Sequence, residues 1–160
     1  VLVALVVLAS YPSLAPRFTR VDPGPEPVGM FQPVAVAHGT PQIMILAYEA
    51  VGPAEITPTL TLTLTWQAVA PVAEDYTVFV HVLNPDGSKA AQRDTRPCNG
   101  QCPTNSWLPG QIVVDRYELD LGPGAPTGPY RLAVGLYLLA TGERAAAWGR
   151  EDGMAFLHVP

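Results

Sequence analysis

Two aspartates are the first candidates for chemistry. Asp94 lies in AQRDTRP (91–97) and Asp115 in QIVVDRYELDL (111–121). A pair of carboxylates flanking a sugar is what a glycosidase needs, one as acid and the other as base or nucleophile. Carboxylate oxygens are also the ligands calcium prefers. Period-two alternation puts Asp115 on one face with Val113, Tyr117, Leu119 and Leu121, so it interrupts an apolar register. A carboxylate in such a place is either buried and hydrogen-bonded or carried on a bulge. The reading the residues favour is a structural carboxylate that accepts N–H bonds from the loop 96–110. Asp94 shares its face with Gln92.

Cys98 and Cys102 sit in RPCNGQCPTNSW (96–107), with the turn formers Asn99 and Gly100 between them. That spacing predicts a disulfide, and a disulfide implies an oxidising compartment. Half of a zinc site is the rival reading. It needs two further ligands, and His38, His81 and His158 show no paired spacing. His81, on a face with Thr77, Phe79 and Leu83, reads as a satisfied core histidine. Trp107 closes the cysteine loop, beside Gln101, Asn105 and Ser106. An aromatic ring on a stapled loop would stack on a sugar while those polar groups bond its hydroxyls. The competing reading has Trp107 plug one end of the fold. No GxSxG, HExxH, P-loop or dinucleotide fingerprint occurs. We therefore assign no catalytic residue, no metal and no cofactor from the sequence.

These residues need elements to hold them, and the elements read as strands. Eighteen prolines and fourteen glycines break up the chain, and no segment has helical periodicity. TLTLTLTWQA (59–68) alternates Thr with Leu60, Leu62, Leu64 and Trp66, which puts the apolar set on one face. YTVFVHVL (76–83) is apolar on both faces and predicts a central strand. Asn84-Pro85-Asp86-Gly87 is a turn into a polar return strand, 88–95, nearer an edge. IMILAYEAV (43–51), LPGQIVVDRYELDL (108–121), YRLAVGLYLLATGER (130–144), a long strand ending in a Thr-Gly turn, and MAFLHVP (154–160) complete the set. About eight short strands spaced by turn residues predict an all-β, two-sheet antiparallel β-sandwich of jelly-roll type over 42–160.

Residues 12–41 read as a Pro-rich linker, with DPGPEP (22–27) at its heart and one short strand at 33–38. VLVALVVLASY (1–11) reads as the end of a transmembrane helix cut by the start of the sequence. A truncated signal peptide and an ordinary buried strand compete with that reading. Arg17 and Arg20 would by themselves favour a cytoplasmic flank, whereas the cysteines favour the opposite side. The net charge of -5 and the nine scattered Lys and Arg residues argue against nucleic acid as a partner.

Taken in order, several segments resemble one known arrangement. They are the Thr/Leu strand ending in Trp66-Gln67, DYTVFVHVLNPDG (75–87), AQRDTRP (91–97), SWLPGQIVVDRYELDL (106–121) and PTGPYRLAVGLYLLATGER (126–144). Together they resemble the β-rich C-terminal domain of some bacterial polytopic membrane glycosyltransferases, relatives of the protein mannosyltransferases that draw sugar from polyprenyl-phosphate donors. The resemblance covers residues 43–146 and the apolar start. It implies a module anchored through an N-terminal membrane helix on the extracytoplasmic face of a bacterial cell membrane. Its partners would be the rest of the parent glycosyltransferase and a glycan or acceptor. The family's catalytic residues lie in its membrane region, so none carries over to this chain. The expectation is a non-catalytic accessory module. An independent secreted carbohydrate-binding or structural sandwich is the alternative, and a glycoside hydrolase the third.

Overall fold

The computed structural model describes residues 29–32, 40–53, 58–126, 128–147, 150 and 152–159. Among these residues nine strands form two antiparallel sheets. They are β1 Gly29–Gln32, β2 Ile43–Val51, β3 Thr59–Ala68, β4 Tyr76–Leu83, β5 Lys89–Thr95, β6 Ile112–Asp120, β7 Tyr130–Leu138, β8 Ala146–Ala147 and β9 Ala155–Val159. The first sheet runs β6-β3-β2-β1-β8 and the second β5-β4-β7-β9. The chain is an all-β two-sheet antiparallel sandwich.

The connections refine the jelly-roll expectation. β2–β3 and β4–β5 are hairpins within a single sheet, and β6 and β7 then return beside β3 and β4. That order, with β6-β3-β2 facing β5-β4-β7-β9, is the Greek-key order of immunoglobulin-like sandwiches, extended at one side by β1 and β8.

Alternation builds the core. In β3, Leu60, Leu62, Leu64 and Trp66 are fully buried, while the threonines between them look outward half-exposed. Burying each leucine contributes about 2 kcal/mol. β6 lies against β3 in unbroken register and turns Val113, Asp115, Tyr117 and Leu119 inward. β4 and β7 supply Tyr76, Val78, Val80, Val82, Tyr130, Leu132, Val134 and Leu136 from the facing sheet. β2 carries a bulge between Ile45 and Ala47. The extra residue shifts the side-chain parity, so Ile43 and Ile45 point inward before it and Tyr48 and Ala50 after it.

β4 is covered on its outer face as well, where Thr77 and Phe79 are buried, as its two-sided apolar sequence predicts. β5 is an edge strand and mostly exposed. The linker boundary differs from the expectation, because β1 falls within 12–41 yet pairs with both β2 and β8. Phe31 draws it in: its ring is buried against Trp66, centroids 6.0 Å apart. β7 ends at Leu138, and the chain reverses through the Thr141-Gly142 turn so that Arg144 pairs back with Tyr137. No helix among the described residues is long and apolar enough to cross a membrane. The helix end read at 1–11, the linker residues 12–28, the strand expected at 33–38 and Trp148 lie outside the described residues.

Candidate functional site

The cysteine loop is built as a plug. Cys98 and Cys102 form a disulfide with Cα atoms 5.4 Å apart, well inside the usual range. Two short turns, Pro97–Gly100 and Thr104–Ser106, shape the loop. Thr104 is fully buried; its hydroxyl donates to Glu74 O (2.7 Å) and accepts from the Tyr76 N–H (2.7 Å), tying the loop to the start of β4. Trp107 is only 3% exposed. Its ring centroid lies 6.5 Å from that of Trp66, and its indole N–H donates to Cys102 O (3.1 Å). This corrects the stacking-platform expectation: Trp107 is the plug, and its ring offers no face to a ligand. Asn105, Ser106 and Gln101 are exposed around it, and the Ser106 hydroxyl is turned back to Pro103 O (2.7 Å). They do not form a site with Trp107.

The two aspartates go separate ways. Asp115 points into the core opposite Leu64 and is 3% exposed. Oδ1 accepts the Cys98 N–H at 3.0 Å, and Oδ2 accepts the Tyr117 hydroxyl. Burial raises the Asp115 pKa against the opposing pull of these two donors. Burial, reinforced by the Asp115 charge, raises the Tyr117 phenol as well and keeps it the donor. Asp115 is thus the structural carboxylate that receives the loop. Its donors are the loop backbone at Cys98 and its own strand neighbour, Tyr117. Among the described residues no three His, Cys, Asp or Glu side chains gather as metal ligands would.

Asp94 lies on the outer face of the second sheet, in register with Phe79. It lines an open cleft of about 260 Å³ with Phe79, His81, Tyr137, Gly142 and Arg144. The residues meet here for traceable reasons. Alternation in β4 puts Phe79 and His81 on this face, and β7 adds Tyr137 opposite Thr77. Gly135 sits opposite Phe79, where a Cβ would come within 2.3 Å of the Phe79 ring and 2.5 Å of Gly153 O. Its missing side chain lets the Phe79 ring lie down over β7. The reversal after β7 uses Gly142 at φ +75°, whose N–H bonds Leu138 O (2.7 Å). It returns Arg144 across the face, with its guanidinium carbon 4.7 Å from the Phe79 ring centroid.

The His81 ring centroid is 5.0 Å from that of Phe79, and Tyr137's is 6.3 Å away. Burial lowers the His81 pKa, aided by Lys89 and Arg144 and opposed by Asp94, so the imidazole is neutral at neutral pH. Burial, then the charge of nearby Asp94, raises Tyr137 and keeps it a phenol. The cleft therefore holds one anion, one cation and two neutral groups that both donate and accept. His81 is not the enclosed core residue its lone position suggested; it is half-exposed on this wall. Phe79, Tyr137 and Arg144 were not among the sequence candidates. The Thr141-Gly142 turn was the available signal, because a reversal there must lay Arg144 back over β7. Comparison with protein-family models and with curated proteins returns no match to this chain.

Proposed function

We propose that this chain is a non-catalytic, extracytoplasmic accessory module of a membrane glycosyltransferase, placed to contact glycan or acceptor. The observation that carries the reading is the use made of Asp115. A glycosidase needs two carboxylates that both reach the sugar. Asp115 is inside the core with its oxygens engaged, and Asp94 stands on the outer face of the opposite sheet. The Cys98–Cys102 disulfide supports an oxidising side of the membrane. The resemblance of residues 43–146 to the C-terminal domains of such enzymes supplies the setting.

The test is to read the gene upstream of Val1 and to assay the chain itself. Several apolar segments of about 20 residues each upstream would support the proposal. A start codon followed at once by a signal peptide would replace it with the secreted module. Turnover of aryl glycosides at enzyme-like rates, lost on Asp94→Asn, would overturn the non-catalytic assignment.

A further inference from the structure

We propose that the cleft between β4, β5, β7 and the returning Arg144 is a binding site for a single neutral sugar ring. The proposal rests on the glycan-contacting accessory reading for its setting, and on the cleft alone for its chemistry. Asp94 and Arg144 are opposite charges on one cleft, yet among the described residues they do not close into an ion pair. Arg144 donates one of its five N–H groups to Asp152 O (3.3 Å), and its guanidinium carbon stands over the Phe79 ring, which holds the group at the cleft. Asp94 is exposed and offers acceptor lone pairs.

Adjacent sugar hydroxyls each donate and accept. They suit a carboxylate and a guanidinium that line one cleft without pairing, with the Tyr137 hydroxyl and the neutral His81 imidazole beside them. The half-exposed rings of Tyr137 and His81 give the apolar face of a sugar something to lie on. The balanced charge of Asp94 and Arg144 favours a neutral ligand over an anion. The volume of about 260 Å³ falls just under the range for drug-sized ligands, which sets the size at one ring. Because the cleft is open, affinity is expected to be weak, with Kd on the order of 1 mM.

The experiment is an NMR titration of the isotope-labelled full chain in a sugar-free detergent. The probes are the methyl glycosides of mannose, galactose and glucose, with methyl glucuronide and inorganic phosphate as anionic arms. At least one neutral glycoside should give saturable shifts at the amides of His81, Asp94, Tyr137 and Gly142. Asp94→Asn and Tyr137→Phe should each weaken it about ten-fold or more, while Thr63→Ala on the outer face of the other sheet should leave it unchanged. Two exposed or half-exposed substitutions are used so that misfolding of one does not decide the result.

No saturable shift with any neutral glycoside at tens of millimolar would overturn the proposal. So would shifts confined to the loop 96–110, or binding indifferent to both cleft variants. Tighter binding of the glucuronide or phosphate would overturn the neutral assignment. A negative titration leaves the upstream-gene test standing, and a signal peptide upstream leaves a positive titration standing.

Discussion

Replacing Asp115 by alanine tests how the loop is attached to the sandwich. The substitution strands two donors, the partly buried Cys98 N–H and the buried Tyr117 hydroxyl. Each unsatisfied donor costs about 1–3 kcal/mol. Removing the carboxylate also removes a charge that burial disfavours, which offsets part of that cost. We expect a net loss of about 2–4 kcal/mol at neutral pH. Urea unfolding followed by tryptophan fluorescence reads it directly, since Trp66 and Trp107 are both buried beside the loop.

A second substitution sharpens the test. Tyr117→Phe alone takes a donor from the carboxylate and should cost about 1–2 kcal/mol. In the Asp115→Ala background it removes an orphaned hydroxyl and should be neutral or stabilising. Additive losses, within about 0.5 kcal/mol, would refute the claim that this bond organises the site. The pH dependence has a fixed sign. Burial raises the folded pKa of Asp115 above the ordinary 3.8, so the folded chain holds that proton more tightly than the unfolded chain. Its contribution to stability is greatest below the unfolded value and is lost as pH rises through the folded one. The loss caused by Asp115→Ala should therefore be larger in acid than at neutral pH.

Three further outcomes are expected. Trp107→Ala should destabilise the fold by about 3–5 kcal/mol in the same unfolding assay, the penalty of an emptied core position. A near-neutral result would restore the ring to the surface. Cys98 and Cys102 should resist alkylation until reduced. Reduction should cost about 2 kcal/mol or less because the closed loop is so short, as unfolding with and without reductant would measure. Gly135→Ala should destabilise by about 1–3 kcal/mol and displace the Phe79 ring, seen as shifts of its aromatic resonances; an unperturbed ring would show that the close approach is not required.

The sequence revealed most about the elements whose environment repeats along the chain. β3 and β4 could be read from the leucine-threonine alternation and from the two-sided apolar run, and their bounds agree with the structure. Asp115 was legible for the same reason: one polar residue in an apolar register demands partners. β1 was missed because four residues in a Pro-rich stretch carry too little periodicity, and only the packing of Phe31 on Trp66 reveals it. Trp107 could not be placed from sequence, because a loop tryptophan looks the same whether it faces water or the core. The cleft was missed because register assembles it. Asp94 meets Phe79 through β5–β4 pairing, and Arg144 arrives by a reversal whose position alternation does not mark.

β1 is the shortest strand in the interior of the first sheet. It is held by three register pairs to β2 and two to β8, with Phe31 as its anchor in the core. A shortened version of the chain that begins after it would leave one edge of β2 bare and strip β8 of its neighbour. Two unpaired edges a strand's width apart are a slot for a short extended peptide and a surface on which bare strands can pair. Recombinant versions starting near residue 42 should therefore tend to associate through these bare edges, and adding back residues 29–41 should suppress that association.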